Sequence, residues 1–272
     1  MGKSLPTGKP HVSYSEMSTW MHCSYRHKLK TVDGIDLDPS GVEMILGTVF
    51  HECVELRVQG AFPIRSALVE LAKEKLEEVL DEEKKKEFDV DKCVDRALEM
   101  SDEALPWLDT QFPGWKLVQA EEDLYEKIVI DDINHEDVSF KGFIDLIIEV
   151  PGKKGKTITW IIDWKTASRP WDRKKLMDPK VTYQLSLYKN FWALKHGRTH
   201  DDIRCGYAIA LKAGKPGKIF NFIPVSVGPV VSKRTLTVLN NFVGSVKRGM
   251  AVKNKSEQNC KWCEYRSTVH CT

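Results

Sequence analysis

The sequence predicts an α/β fold, a central mixed β-sheet flanked by helices, with a helical insertion and a cysteine-rich C-terminal tail. Three observations predict it. Helical periodicity dominates from Ser13 to Thr110. It gives way at Lys116 to three short β-rich runs. Beyond Asp178, helix and strand signals alternate. The 272 residues suffice for one core, or for one core plus a lobe, so the whole chain 1–272 is expected to form a single domain. Within it, residues 61–112 form a helical insertion or lobe, and residues 253–272 form a tail closing onto the N-terminal helix.

The elements follow in order. Ser13-Tyr14-Ser15-Glu16 has the form of a capping box and opens an amphipathic stretch to about Lys30. Thr31 to Gly41, rich in Gly, Asp and Pro, reads as a loop. A helix is predicted from Glu43 to Gln59, stopped by Gly60. Ser66 to Glu87 is one helix with apolar positions at Leu68, Leu71, Leu76, Val79 and Leu80. Another spans Asp91 to Thr110, with a break at Pro106. Lys116–Ile130, Val138–Val150 and Thr157–Trp164 are consecutive antiparallel strands, separated by turns at Asp131–Asp137 and Pro151–Lys156. Asp178–Lys195 is a helix ended by Gly197. Ile203–Leu211 and Lys218–Val227 are strands around an Ala213–Gly217 turn, and Pro229–Met250 is the last long helix.

Hydrophobic residues make up 42% of the chain and charged residues 29%, a globular balance. A net charge of only +2 means that any basic surface must come from local clustering. No apolar run approaches a membrane span. The polar start, Met1 to Pro10, lacks the apolar stretch of a signal peptide, and Pro6 stands where a myristoylation signal wants Ser or Thr. A cytosolic location is therefore expected. The seven cysteines are then reduced thiols or metal ligands rather than disulfides.

Two segments carry a chemical signal. Gly142-Phe143-Ile144-Asp145-Leu146-Ile147-Ile148 and Ile161-Ile162-Asp163-Trp164-Lys165-Thr166 each set a carboxylate in or at the end of an apolar strand. An unpaired buried carboxylate is costly, so each Asp needs a partner. Asp163 and Lys165, two apart on a strand, face one side, and Trp164 points the other way into packing. A carboxylate and an ammonium on one face, with a second carboxylate that the first strand can supply, suit phosphodiester hydrolysis. The carboxylates would hold a hard divalent ion, and the ammonium would orient water and stabilise developing negative charge. The same Asp-x-Lys also fits a buried salt bridge near a strand end.

Asp145 followed by Asp163-Trp164-Lys165 resembles the PD-(D/E)xK nuclease superfamily, and most of all its RecB-like exonuclease branch, which includes CRISPR-associated iron–sulfur exonucleases and phage exonucleases. The branch carries a Gly shortly before the first acidic motif, as Gly142 is here, and a D-[YFW]-K-T element, as Asp163 to Thr166 are. Gln184-x-x-x-Tyr188 matches its Q-x-x-x-Y motif, both side chains on one helix face. Gly47-Thr48-Val49-Phe50-His51-Glu52-Cys53-Val54-Glu55 resembles its G-[ST]-x-x-H-x-x-x-E element. The resemblance implies a restriction-endonuclease-like core. It also implies catalytic roles for Asp145, Asp163, Lys165, Gln184 and Tyr188. His51, Asp145, Asp163 and the Trp164 carbonyl would hold Mg²⁺ or Mn²⁺, the imidazole favouring the softer ion. Glu55 would orient His51, and either Glu121 or Glu122 would supply a further acidic position.

Cys260-Lys-Trp-Cys263, with Cys271 behind and Cys23 far upstream, resembles the iron–sulfur subgroup of the branch and implies a [4Fe–4S] cluster clipping the chain's two ends together. The Cys263–Cys271 gap is wider than the subgroup's common spacing. Tetrahedral Zn²⁺ is the rival, with His22 or His270 as replacement ligands. Cys53, Cys93 and Cys205 lie in apolar patterns and are expected to be packed thiols. Arg169, Arg173, Lys174, Lys175 and Lys180 cluster around Trp171 beside the predicted site, cations for phosphates and an aromatic for an unpaired base.

The function these signals predict is metal-dependent hydrolysis of DNA, as an exonuclease on ends or single strands. The alternative is a DNA-binding or assembly module of a recombination or CRISPR adaptation complex. The compact size suits a phage or prokaryotic repair enzyme.

Overall fold

A computed structural model describes residues 5–37 and 41–272. The first four residues of the polar start and residues 38–40 of the Thr31–Gly41 loop lie outside the described residues. The chain opens with β1 (His11–Ser13), α1 (Tyr14–His22) and α2 (Ser24–His27), then a π-helical turn over Lys28–Val32. A 3-10 turn at Val42–Met44 leads into α3 (Ile45–Val58). After it come α4 (Arg65–Glu77), α5 (Glu82–Glu87), α6 (Val90–Asp102) and α7 (Ala104–Gln111). Next are β2 (Lys116–Ile130), β3 (Ile133–Pro151) and β4 (Thr157–Ala167), then α8 (Arg173–Leu176) and α9 (Pro179–His196). The chain ends with β5 (Ile203–Leu211), β6 (Phe220–Val225), α10 (Pro229–Lys247) and the short α11 (Glu257–Cys260).

The fold is the predicted mixed sheet with helices on both faces. Its strand order is β1-β3-β4-β5-β6, with β2 paired to the other edge of β3. β1 runs parallel to β3 and β4 parallel to β5; the remaining pairs are antiparallel. Two cores sandwich the sheet. One holds Met17, Phe140, Ile144, Leu187, Phe191 and Phe242, under α1, α9 and α10. The other holds Phe50, Val54, Leu68, Met100, Leu108 and Trp164, under α3, α4, α6 and α7. Among the described residues, no helix is long and apolar enough to cross a membrane.

The topology of β3 positions the site. β1 and β4 share one edge of this 19-residue strand. β1 pairs with Ser139 to Lys141, and β4 pairs only from Leu146 onward, beginning at the Leu146–Ile162 pair. Gly142 to Asp145 therefore face an open fork. Asp145 and Asp163 are the first residues past the last paired position of their two strands.

Several boundaries differ from the sequence expectation. The Ser66–Glu87 helix is two helices, because Asp81 caps a new one by accepting the Lys84 N–H at 3.0 Å. The break expected at Pro106 falls at Glu103 instead. Pro106 sits in the first turn of α7, where its missing N–H has no intrahelical partner to lose. The first amphipathic stretch breaks at Cys23, whose backbone is extended. The Asp131–Asp137 turn shrinks to Asp131 and Asp132, with β3 beginning at Ile133. The Lys218–Val227 strand narrows to Phe220–Val225, and the last long helix stops at Lys247 rather than Met250. β1 was unforeseen, since three residues are too few for a period to register.

Residues of the C-terminal tail meet the first helices. Arg26 pairs with Glu264 at 2.8 Å, Tyr25 donates its hydroxyl to the His270 carbonyl at 3.2 Å, and His22 Nε2 lies 2.8 Å from the Asn259 carbonyl.

Candidate active site

The fork gathers the titratable groups. Trp164 is the first residue of β4 beyond Asp163, and its N–H donates to Asp145 Oδ2 at 2.7 Å. The carboxylate thus takes the place of the neighbouring strand. Asp163 is almost fully buried at 1% exposure. Its Oδ1 accepts Gln184 Nε2 at 2.8 Å, and its Oδ2 is ion-paired with the Lys165 ammonium. Gln184 Nε2 also donates to the Tyr188 hydroxyl at 3.1 Å. Two consecutive turns of α9 therefore hold one oxygen of Asp163 in place.

Gly142 makes this approach possible. A Cβ there would lie 2.9 Å from Tyr188 Cε1 and 3.2 Å from Phe140 Cε1. Only a bare backbone lets the Tyr188 ring lie against β3. From the other face, α3 approaches β4 where Gly47 meets Thr166, a Cβ on the glycine falling 3.4 Å from Thr166 Oγ1. One turn later the same helix presents His51, whose Nδ1 lies 3.6 Å from Asp145 Oδ2. Glu55, expected to orient His51, instead accepts Gln59 Nε2 at 3.0 Å.

Glu121 completes the cluster. His51, Glu121 and Asp145 each place a ligand atom within 4.8 Å of the others, and they are the one such trio of His, Cys, Asp or Glu among the described residues. Glu121 lies mid-strand with φ of 48°, in the left-handed region that non-glycine residues rarely adopt. Neighbouring Ala120 and Glu122 pair normally with Leu146 and Ile144. The register is kept, but the alternation switches faces here: Ala120 packs in the core under α3, and Leu124 in the core under α1 and α9. Glu122 is taken up elsewhere, 2.7 Å from Lys195 Nζ and 3.1 Å from His196 Nε2. Between the two glutamates left open by the sequence, the structure brings Glu121 to the site.

The electrostatics follow from burial and crowding. Burial alone would raise every carboxyl here. At Asp145 that push is outweighed by His51, by Lys165 and by the Trp164 N–H, and its pKa lies below the usual carboxylate range. At Asp163 burial, with the Asp145 charge, prevails over Lys165, and its pKa is raised. Burial and the charges of Asp145 and Glu55 push Glu121 up to about 7. His51 is pulled down by burial but raised overall by Asp145. Three carboxylates and two cationic groups thus lie within one fork, short of positive charge and poised to accept a cation.

The other predicted residues are placed less centrally. Arg169, Arg173, Lys174 and Lys175 are exposed. The acids among them are consumed in helix caps, Asp172 accepting the Lys175 N–H at 2.8 Å and Asp178 the Lys180 N–H at 2.9 Å. Trp171 packs on Tyr207 with ring centroids 5.1 Å apart, and Lys175 lies over Trp171. Arg173, Lys174 and Lys175 line a cleft whose other wall is Met21, His22, Gln258 and Asn259. Cys23, Cys260, Cys263 and Cys271 line a single small cleft. No three of their sulfurs come within the 4.8 Å spacing that the acidic cluster meets. Cys53, Cys93 and Cys205 are buried thiols as expected, burial pushing Cys53 and Cys205 up to about 12 and Cys93 to about 11.

A family model of the PD-(D/E)XK nuclease superfamily matches residues 11–268. No curated protein matches the chain. Among solved structures, a protein from Eubacterium rectale, provisionally named an exonuclease, is 12% identical with a TM-score of 0.57. The match covers 95% of this chain and 89% of that one. At that identity the likeness is one of fold. A second structure, SSO0001, is 13% identical with a TM-score of 0.36, over 82% of this chain and 92% of its own.

Proposed function

This chain belongs to the PD-(D/E)XK nuclease superfamily, and we propose from that premise that it is a Mg²⁺- or Mn²⁺-dependent deoxyribonuclease acting as an exonuclease on DNA ends or single strands. The observation that carries the reading is the fork itself, where Asp145, Asp163, Lys165, Glu121 and His51 converge at the vacant edge of β3. A salt bridge alone would need one acid and one base. The surplus of carboxylate fits a cation held by His51, Glu121 and Asp145 with Asp163 alongside. When bound, such an ion lowers the pKa of water and offsets charge on a phosphate oxygen.

The chain's own groups do the rest. Lys165 presents its ammonium beside Asp163 to orient water and to stabilise negative charge as it develops. Gln184 and Tyr188 hold Asp163, so that its remaining oxygen keeps one direction. The Trp164 N–H fixes Asp145, and the Trp164 carbonyl is a further candidate ligand. Arg169, Arg173, Lys174 and Lys175 contact substrate phosphates. An assembly module with no catalysis would have no need to keep this full set together. Recombination or CRISPR proteins are possible partners, and the cytosol the expected location. The deciding assay is digestion of end-labelled and circular DNA with Mg²⁺ or Mn²⁺, wild type against Asp163→Ala and Lys165→Ala. Equal rates in all three would remove the enzyme.

Below its raised pKa of about 7, Glu121 holds a proton that an ion must displace. A carboxyl with a raised folded pKa also binds protons more tightly when folded, so metal-free stability falls as pH rises from the ordinary carboxylate range toward 7. Mn²⁺ should therefore raise Tm more at about pH 8 than at about pH 5. Glu121→Gln should shrink the gain at the higher pH. A metal-induced Tm shift equal at both pH values in wild type would contradict the ligand set.

For the cysteines we propose a [4Fe–4S] cluster on Cys23, Cys260, Cys263 and Cys271. The four thiols line one cleft, the number of ligands such a cluster takes. Anaerobically purified protein should be brown and lose its visible absorption in Cys23→Ser. A colourless protein with one zinc per chain would reverse the assignment.

A further inference from the structure

The three-stranded arm formed by β1, β2 and the first half of β3 has one covered face and one bare face. Leu124, Ile128, Val138, Phe140 and Val12 point into the core under α1 and α9. The alternate residues point away. Tyr125 pairs with Lys141 and Asp123 with Phe143, so these four share the bare face. His11 joins them, its ring 5.6 Å from that of Tyr125. The Lys141 ammonium lies 5.3 Å from the Phe143 ring centroid. Tyr125 and Phe143 are each 46% exposed, so both rings are open to a ligand.

The strip also has a direction. Phe143 is two residues before Asp145, and Asp123 two residues after Glu121, so the strip runs into the metal cluster. We propose that this face is a stacking platform for the unpaired strand of the DNA substrate. Bases lie on Phe143 and Tyr125, and Lys141 with Lys127 contacts the phosphates. Resting on the nuclease reading, it names the substrate's strand state. Aromatic rings interleaved with cations on an open sheet are suited to single strands, because every base offers a π-face and duplex DNA hides it.

The test measures anisotropy of fluorescein-labelled oligo(dT) and of a blunt duplex on the full chain in EDTA. Phe143→Leu keeps apolar bulk without the π-face. Phe143→Leu and Tyr125→Ala should each weaken oligo(dT) binding about tenfold and duplex binding far less. Lys141→Ala should flatten the salt dependence by about 0.7 in log–log slope. Thermal melts confirm that each variant is folded. Folded variants that bind oligo(dT) like wild type, while wild type cuts DNA, overturn the platform and leave the nuclease standing. A wild type that neither binds nor cuts DNA overturns both. A dimer in sedimentation that Phe143→Leu disperses would reassign the face to a second copy through the open β2 edge.

Discussion

Replacing Lys165 by methionine is expected to lower the rate of DNA cleavage at least 10²- to 10³-fold, while DNA binding in EDTA changes by less than about threefold. The expectation comes from what Lys165 faces. Its ammonium is paired with Asp163, across the fork from Asp145, with Glu121 and His51 nearby. It is the one lysine that the alternation of β4 turns into the fork. Removing a cation from beside a cation site relieves repulsion, so the loss should appear in the rate and not in ion affinity. Methionine keeps the length of the chain, which separates a lost charge from a lost contact. Lys165→Arg should not rescue, because a planar guanidinium cannot occupy an ammonium's place against a single carboxylate oxygen. Wild-type turnover by folded Lys165→Met would end the catalytic reading. A matching collapse in Tm would instead mark the lysine as a structural counter-ion.

How much of this was readable from residues alone depended on the kind of constraint. Asp163 and Lys165 were legible because a strand's period of two fixes which side chains share a face. Gln184 and Tyr188 were legible because a helix's i, i+4 spacing does the same. That they meet across 21 residues, through Gln184 Nε2 and Asp163 Oδ1, is set by the packing of α9 against β4, which no local spacing announces. Glu121 could not be separated from Glu122, because adjacent strand residues face opposite ways and nothing local sets which faces the site. The deciding feature is an inverted φ in mid-strand, and no turn residue announces it. Similarly, the fork exists because β1 and β4 share an edge of β3, and three-residue β1 carries no periodic signal. Helix ends were misjudged where a cap competed with a run of good helix formers, as Asp81 does within Glu77 to Lys86.

The residue between the two chemical ones should carry the largest effect on stability. Trp164 is 2% exposed and points into the opposite core. There its ring centroid lies 5.6 Å from Phe220, 5.7 Å from Trp107 and 6.3 Å from Phe50. Phe50 immediately precedes His51 on α3, so this aromatic cluster fixes the spacing between the helix that offers the imidazole and the strand that offers Asp163 and Lys165. Trp164→Ala removes one of the two tryptophans of that cluster and should cost about 3–5 kcal/mol, which for a chain of this size is a fall in Tm of roughly 10 °C. Trp164→Phe should cost much less, since it keeps most of the apolar volume. The N–H that holds Asp145 survives both substitutions, so the hydrogen bond alone predicts unimpaired cleavage well below Tm. If the cluster also sets the approach of α3, residual cleavage by the folded alanine variant should drop by about 10²-fold, as expected when reacting groups shift by an ångström. An unchanged Tm would show that Trp164 does not anchor the strand. A lowered Tm with wild-type cleavage at low temperature would confine its role to stability.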